Sequence, residues 1–350
     1  MQNRMIHDRA LAAVISALVL TQSGCIDSPA TTPAPGEFVS EFELVWTLFD
    51  EEYVGFEVKG IDWEAVHDQY GPLADTVTCR EGMTSLTLSL LGTLHDYHVR
   101  LIDPSFSQIL TSSPDILHNY DMEVLMTYLE PWGFEWMQDS TWGYCLAGPD
   151  SIPYFVITAW SPEFNISLFD DLLQPALDRP GLIIDVRMNP GGSEAPVDNL
   201  VRRFVDELRV GYLWQERVGP STHDLTTPEP HELHPRAWFF GNPVIVLGGQ
   251  LNGDACEVFI CEMAELPQVT IMGDTTLGAT DWPVGYRELP DNWYVTCPSR
   301  TILRPDLTYI EDTGIPPDVY VEATEADFVE GIDPVLEHAF DVLGKQPPMP

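Results

Sequence analysis

Residues 181–192 read Gly-Leu-Ile-Ile-Asp-Val-Arg-Met-Asn-Pro-Gly-Gly, and this stretch restricts the fold more than any other. Leu182, Ile183, Ile184 and Val186 form a short apolar run of the kind buried on both faces of a parallel sheet. The run ends in an Asn-Pro-Gly-Gly turn, which exposes backbone N–H groups at the strand's carboxyl end. Open α/β sheets bind their ligands at that end. Paired glycines allow close backbone approach, so Gly191 and Gly192 are candidate oxyanion donors.

The rest of the chain predicts a layered α/β core. Strands are expected over 152–158, 181–186, 244–247 and 269–272, with helices over 168–177, 197–208, 255–265 and 333–343 between and after them. Residues 37–112 form a helical amino-terminal region, in which Phe42, Val45, Leu48 and Phe49 recur at helical spacing and Asp62 is a candidate N-cap. Residues 113–160 are aromatic-rich and predict a small β-rich segment of short antiparallel strands. Residues 161–345 carry the core. The polar, Pro-containing stretch 221–235 reads as a loop and a candidate site cover.

The first 24 residues read as a leader. Arg4 and Arg9 precede the apolar run 10–20, which is too short to span a bilayer. Ser23-Gly24-Cys25 resembles a bacterial lipobox, with Gln22 where Leu is usual. That resemblance implies a chain beginning at a lipidated Cys25, anchored to the bacterial cell envelope at the periplasm or outer membrane. Plain secretion and an uncleaved anchor are the alternatives. Residues 25–36, rich in Ser, Thr, Pro and Ala, form a flexible tether. Beyond Cys25 there are five cysteines, an odd number, so disulfides in an oxidising compartment would leave one thiol over. The formal net charge of −39 argues against nucleic acid as a partner, because phosphate binding needs a basic face.

The strand and glycine turn, with Asp185, Arg187 and Asn189 beside it, resemble those of the C-terminal-processing (tail-specific) serine peptidases. Within that family the likeness is to the tricorn-core branch without a PDZ insert, and it extends over residues 38–343. It implies a ClpP/crotonase-like layered α/β core behind an amino-terminal helical region. It also implies three catalytic positions. His98, in Leu94-His95-Asp96-Tyr97-His98, takes the place of the general base, although Tyr97 stands where that branch has a small hydroxyl residue. Glu311, in Glu311-Asp312-Thr313-Gly314, takes the place of the supporting carboxylate. In Asn252-Gly253-Asp254-Ala255-Cys256-Glu257, the positions of Ala255 and Glu257 put Asp254 where the family has its nucleophilic serine. Ala255 joins Gly191 and Gly192 on the oxyanion side.

Asp254, three residues before Glu257, matches a capping box, and Ser and Asp both cap helices well. The fold can therefore survive the exchange while the acyl-transfer chemistry does not. Cys256 points away from the site by helical geometry. The lysine used by the Ser/Lys branch has no counterpart near Gly278-Ala279; the chain's lysines are Lys59 and Lys345. His231-Glu232-Leu233-His234 lacks the spacing of a helical metal-binding pair. No metal and no cofactor are implied.

Three functions fit these residues. One is a degenerate, lipid-anchored homologue that binds peptides or unfolded protein carboxyl termini without cutting them. Another is an active hydrolase using His98 and Glu311 with an atypical nucleophile. The third is a binding module for an apolar ligand.

Overall fold

The computed structural model describes residues 37–137 and 140–348. The expected leader, the tether and Cys25 lie outside the described residues.

Four helices open the chain: α1 (Glu37–Glu52), α2 (Phe56–Lys59), α3 (Trp63–Ala74) and α4 (Arg80–Gly92). Asp62 caps α3 as expected, its side chain accepting from Ala65 N. Two short strands follow within the region predicted as helical, β1 (Arg100–Ile102) and β2 (Gln108–Leu110). Residues 113–160 then supply α5 (Met122–Leu129), β3 (Glu135–Trp136), β4 (Trp142–Ala147) and β5 (Ile152–Ile157). β3, β4 and β5 pair antiparallel, as expected for this segment, and form one edge of a larger sheet. α5 lies inside the stretch expected as strand. Its apolar residues Val124, Leu125, Tyr128 and Leu129 make one buried helical face.

The core continues through α6 (Ile166–Leu173), β6 (Leu182–Asp185), α7 (Glu194–Val201), β7 (Arg209–Glu216), β8 (Glu229–Leu233), β9 (Val244–Gly248), α8 (Ala255–Ala264) and β10 (Val269–Gly273). The chain ends with β11 (Trp282–Leu289), β12 (Trp293–Leu303), β13 (Val319–Tyr320), α9 (Glu325–Val329) and α10 (Pro334–Val342). The expected loop over 221–235 contains β8, which pairs antiparallel with β7.

Among the described residues the strands form two sheets. The larger runs β13-β10-β9-β6-β5-β4-β3. It is parallel from β13 to β5 and antiparallel from β5 to β3. Alternate residues of its central strands face opposite ways. Phe155, Leu182, Ile184, Val244 and Val246 pack toward α6, α7 and α8. Tyr154, Val156, Ile183, Ile245 and Leu247 pack toward α5 and α10. Both faces are covered, which is why β6 and β9 are apolar at every position but one. The second sheet runs β2-β1-β12-β7-β8, with β11 beside β12. Its Leu101, Leu289, Val295 and Cys297 pack under α1, α3 and α4. The carboxyl ends of β6 and β9 thus meet the amino-terminal layer, and the candidate site lies there.

Candidate functional site

The site begins with an ionic bolt beneath the glycine turn. Arg187 is fully buried. Its guanidinium donates to both Asp185 oxygens at 3.0 and 2.7 Å, to both Asp333 oxygens at 2.9 Å and to the Asn119 carbonyl at 3.0 Å. Tyr154 adds a hydroxyl to Asp185 at 2.8 Å. Asp333 also caps α10 through Leu336 N. One arginine therefore holds the end of β6, the start of α10 and the loop before α5.

Above the bolt the chain turns through Asn189-Pro190-Gly191-Gly192. Gly191 and Gly192 have φ of +117° and +129°, values that favour glycine. Space makes the same demand: a Cβ at Gly192 would lie 2.5 Å from the Trp160 carbonyl oxygen, and one at Gly191 2.6 Å from the Asp254 Cβ. Asn252 ties this turn to the next loop. Its amide donates to the carbonyls of Val186 at 2.6 Å and Asn189 at 2.9 Å, while its oxygen accepts from Gly249 N at 2.7 Å.

Asp254 precedes α8 with φ +50° and ψ −133° and makes no side-chain cap. The expected capping box is absent. An N-cap needs extended backbone at the capping residue, and Asp254 has a positive φ instead. Glu257 does not reach back to it. Burial pushes the Glu257 carboxyl up to about 8, and it accepts from Gly278 N and Ala279 N, each at 2.7 Å, and from the Thr276 hydroxyl. The Asp254 side chain, 38% exposed, turns to the glycines and accepts from Gly192 N at 2.9 Å. Its other oxygen lies 3.9 Å from His98 Nε2.

The oxyanion expectation therefore needs correction in detail. Gly191 N donates to the Asn189 side chain at 2.9 Å, so it is committed to holding the turn. Gly192 N faces the cleft, and the Asp254 carboxylate fills its donor direction. Ala255 opens α8, where the first N–H groups point out of the helix. Trp160 already pairs with the turn, donating to Gly191 O at 3.0 Å and accepting from Ser193 N at 2.8 Å.

His98 and Asp254 are brought together, but Glu311 is held elsewhere. Glu311 is fully buried. It accepts from Thr280 N and Asp281 N at 2.8 and 3.0 Å, and its other oxygen lies 2.7 Å from Lys59 Nζ. The buried His98 Nδ1 finds no partner among the described residues. No His98–Glu311 relay exists in this arrangement. The backbone N of His98 is held instead by Asp96 at 2.7 Å, whose second oxygen accepts from Tyr53 OH at 2.8 Å. Asp281 lies in the same buried group. Burial, then the charges of Glu311 and Asp96, hold its carboxyl well above the ordinary range. Cys256 is fully buried, as helical geometry required.

Sequence reasoning missed Lys59 as the partner of Glu311, and Asp96 and Asp281 beside them. It also missed Trp160, which contributes only backbone and so leaves no residue-type signal.

Comparison with known proteins finds relatives for most of the chain. The model of peptidase family S41 matches residues 152–321, and that of the tricorn protease C1 domain matches residues 35–92. The tricorn protease of Thermoplasma acidophilum is 26% identical over 164 residues, covering 47% of this chain and 14% of that protein. A tricorn protease homolog of Saccharolobus solfataricus is 27% identical over 184 residues, covering 51% and 15%. The chain thus spans a small fraction of these curated relatives. The crystal structure of a candidate peptidase from Parabacteroides merdae is 30% identical with a TM-score of 0.79, covering 90% of this chain and 97% of that one. The photosystem II D1 C-terminal processing protease shares the fold, with 15% identity, a TM-score of 0.53 and coverage of 85% and 96%.

Proposed function

The chain belongs to peptidase family S41, and on that footing we propose that it binds extended peptides and protein carboxyl termini at the Asp254 turn without cleaving them. The observation that carries this reading is the 2.9 Å bond from Gly192 N to the Asp254 carboxylate. Asp254 stands at the position of the family's nucleophilic serine. A carboxylate there neutralises the donor that would stabilise a tetrahedral oxyanion, and it would repel that oxyanion. It also makes a poor acyl acceptor, since the product would be an anhydride. The His98 ring lacks a partner on Nδ1 to orient it, and Glu311 is neutralised by Lys59.

Trp160 occupies one edge of the glycine turn; on the other edge Gly192 N faces the cleft, where a peptide pairing with it has to displace the Asp254 carboxylate. β8 ends the second sheet and offers a free edge for β-augmentation. Calorimetric titration with peptides ending in a free apolar carboxyl group is expected to give a Kd in the micromolar range or weaker, on the order of 6–8 kcal/mol. Asp254→Ser is expected to gain slow hydrolysis and labelling by a serine-directed phosphonate, at rates well below the ~1–10³ per second of ordinary enzymes. Adding His98→Ala removes both gains. Peptidase activity in the natural protein that vanishes in folded Asp254→Ala would overturn the non-cleaving reading.

The lipid anchor is a proposal from Ser23-Gly24-Cys25. Mass spectrometry of the envelope fraction is expected to find a chain that begins at a diacylated Cys25. A mature chain that begins elsewhere rejects it.

A further inference from the structure

A cavity of about 400 Å³ lies between α7, α8 and the β7–β8 pair. α8 carries Val258 and Glu262 four residues apart, on one helical face. α7 presents Glu194 and Asp198 across from it, also four residues apart. Glu194, the first residue of α7, lines the cavity two residues after Gly192, so the cavity adjoins the candidate site. Tyr212 and His231 close the floor with stacked rings, 4.5 Å between centroids and 5° apart in plane.

The lining charges are unbalanced. His231 Nε2 lies 3.2 Å from Glu262 Oε1 and 3.4 Å from Asp198 Oδ1. These two acids push the imidazole up to about 9, so it is a cation at neutral pH. Arg202 reaches Asp198 at 3.5 Å but is not part of the cavity wall. Glu262 is 1% exposed, and its Oε2 has no hydrogen-bond partner. A buried carboxylate oxygen without a donor is costly to maintain, and Glu262 is one of the residues that line the cavity. Glu194 stands exposed at the mouth. Desolvation, then the charges of Asp254 and Glu262, raise its carboxyl above the usual range, so Glu194, Glu262 and Asp254 act on one another as like charges.

We propose that this cavity is a subsite for a basic side chain of the bound peptide, an arginine guanidinium by preference, with Glu262 Oε2 and Glu194 as its acceptors. A planar guanidinium matches carboxylate oxygens in a fork that an ammonium cannot copy. Tyr212 and Val258 flank the side chain's aliphatic stem. Among the described residues no group of three or more His, Cys, Asp or Glu side chains is arranged to hold a metal ion, which favours an organic cation. The inference rests on the peptide-binding reading above and assigns it a side-chain preference.

The test uses alanine hexapeptides with a free carboxyl end that carry one arginine, or its neutral isostere citrulline, at each position in turn. Binding to the full chain is followed by calorimetry. One position is expected to favour arginine over citrulline at least ten-fold. Glu262→Gln and, separately, the surface change Glu194→Gln are each expected to cut that ratio to below about three-fold, with thermal melting checking the fold of both. Equal binding of both series overturns the basic-side-chain subsite and leaves peptide binding standing. A ratio unchanged in the two folded variants also overturns it. No binding by any peptide overturns the peptide-binding reading, and this inference with it.

Discussion

Arg187→Met is expected to lower unfolding free energy by roughly 3–5 kcal/mol, the usual penalty for removing one partner of a buried ion pair. The substitution keeps most of the side-chain volume, so little of the loss comes from a cavity. What remains is two buried carboxylates, Asp185 and Asp333, that had each received two bonds from one guanidinium. Against a typical total of about 5–15 kcal/mol, the loss is a large fraction of the whole. Urea denaturation measures it. Adding Asp333→Asn to Arg187→Met should recover part of the stability, because one of the stranded charges is gone. A single variant within 1 kcal/mol of the natural protein would mean that the bolt holds nothing together.

Lys59→Met is expected to be nearly as damaging at neutral pH, again about 3–5 kcal/mol, with a distinct pH signature. Lys59 Nζ is buried against Glu311. Its folded pKa is raised above the ordinary lysine value, with Glu311 and Asp96 supplying the charge that outweighs its burial. Its contribution is therefore fully present below the unfolded lysine pKa, and it should span the whole neutral range. Once Lys59 is gone, Glu311 and Asp281 face each other without it. Both already have folded pKa values above their unfolded values, and losing the cation raises Glu311 further. A carboxyl raised in the folded state binds its proton more tightly there than in the unfolded chain. Stability then falls as pH rises from the unfolded carboxylate pKa toward the folded one. The deficit of Lys59→Met should thus be largest at pH 7–8 and shrink toward pH 4–5. Melting temperatures of both proteins across that range test this. A deficit independent of pH would show that Lys59 acts through packing alone.

How much of this was legible in the sequence depends on what held each element in place. β6 and β9 are buried runs of Val, Ile and Leu beside glycine, β10 is a short run that ends buried at Ile271 and Met272, and α8 and α10 are amphipathic or apolar helices, so all five stood out. β7 and β12 did not. β7 is half-buried, β12 is largely buried, and both are mixed in polarity, so pairing with distant strands holds them rather than an apolar period. β8 contains Pro230, His231 and Glu232, a composition that reads as loop until β7 lies beside it. Asp254 was located from its neighbours Ala255 and Glu257, but its role was misjudged. Capping statistics assume an extended backbone, and no residue type announces a positive φ at a non-glycine position. Lys59 lies far from Glu311 in sequence, and the Glu194–Asp198–His231–Glu262 cavity draws on three elements. Neither leaves a local pattern.

The rigidity of the paired turns changes how an outside ligand must be thought of. Asn252 fastens the Gly192 turn to the loop that presents residue 254, so the distance between donor and side chain is set when the chain folds. Asp254 is in that sense a tethered competitor, present at the Gly192 amide at an effective concentration of about millimolar or more. A free carboxylate arriving there finds the donor occupied. Its apparent affinity is the intrinsic one reduced by the fraction of molecules in which the tethered group has swung away. The cleft's preference among ligands is then decided by groups that reach past residue 254, and much less by the anion that the amide would otherwise select.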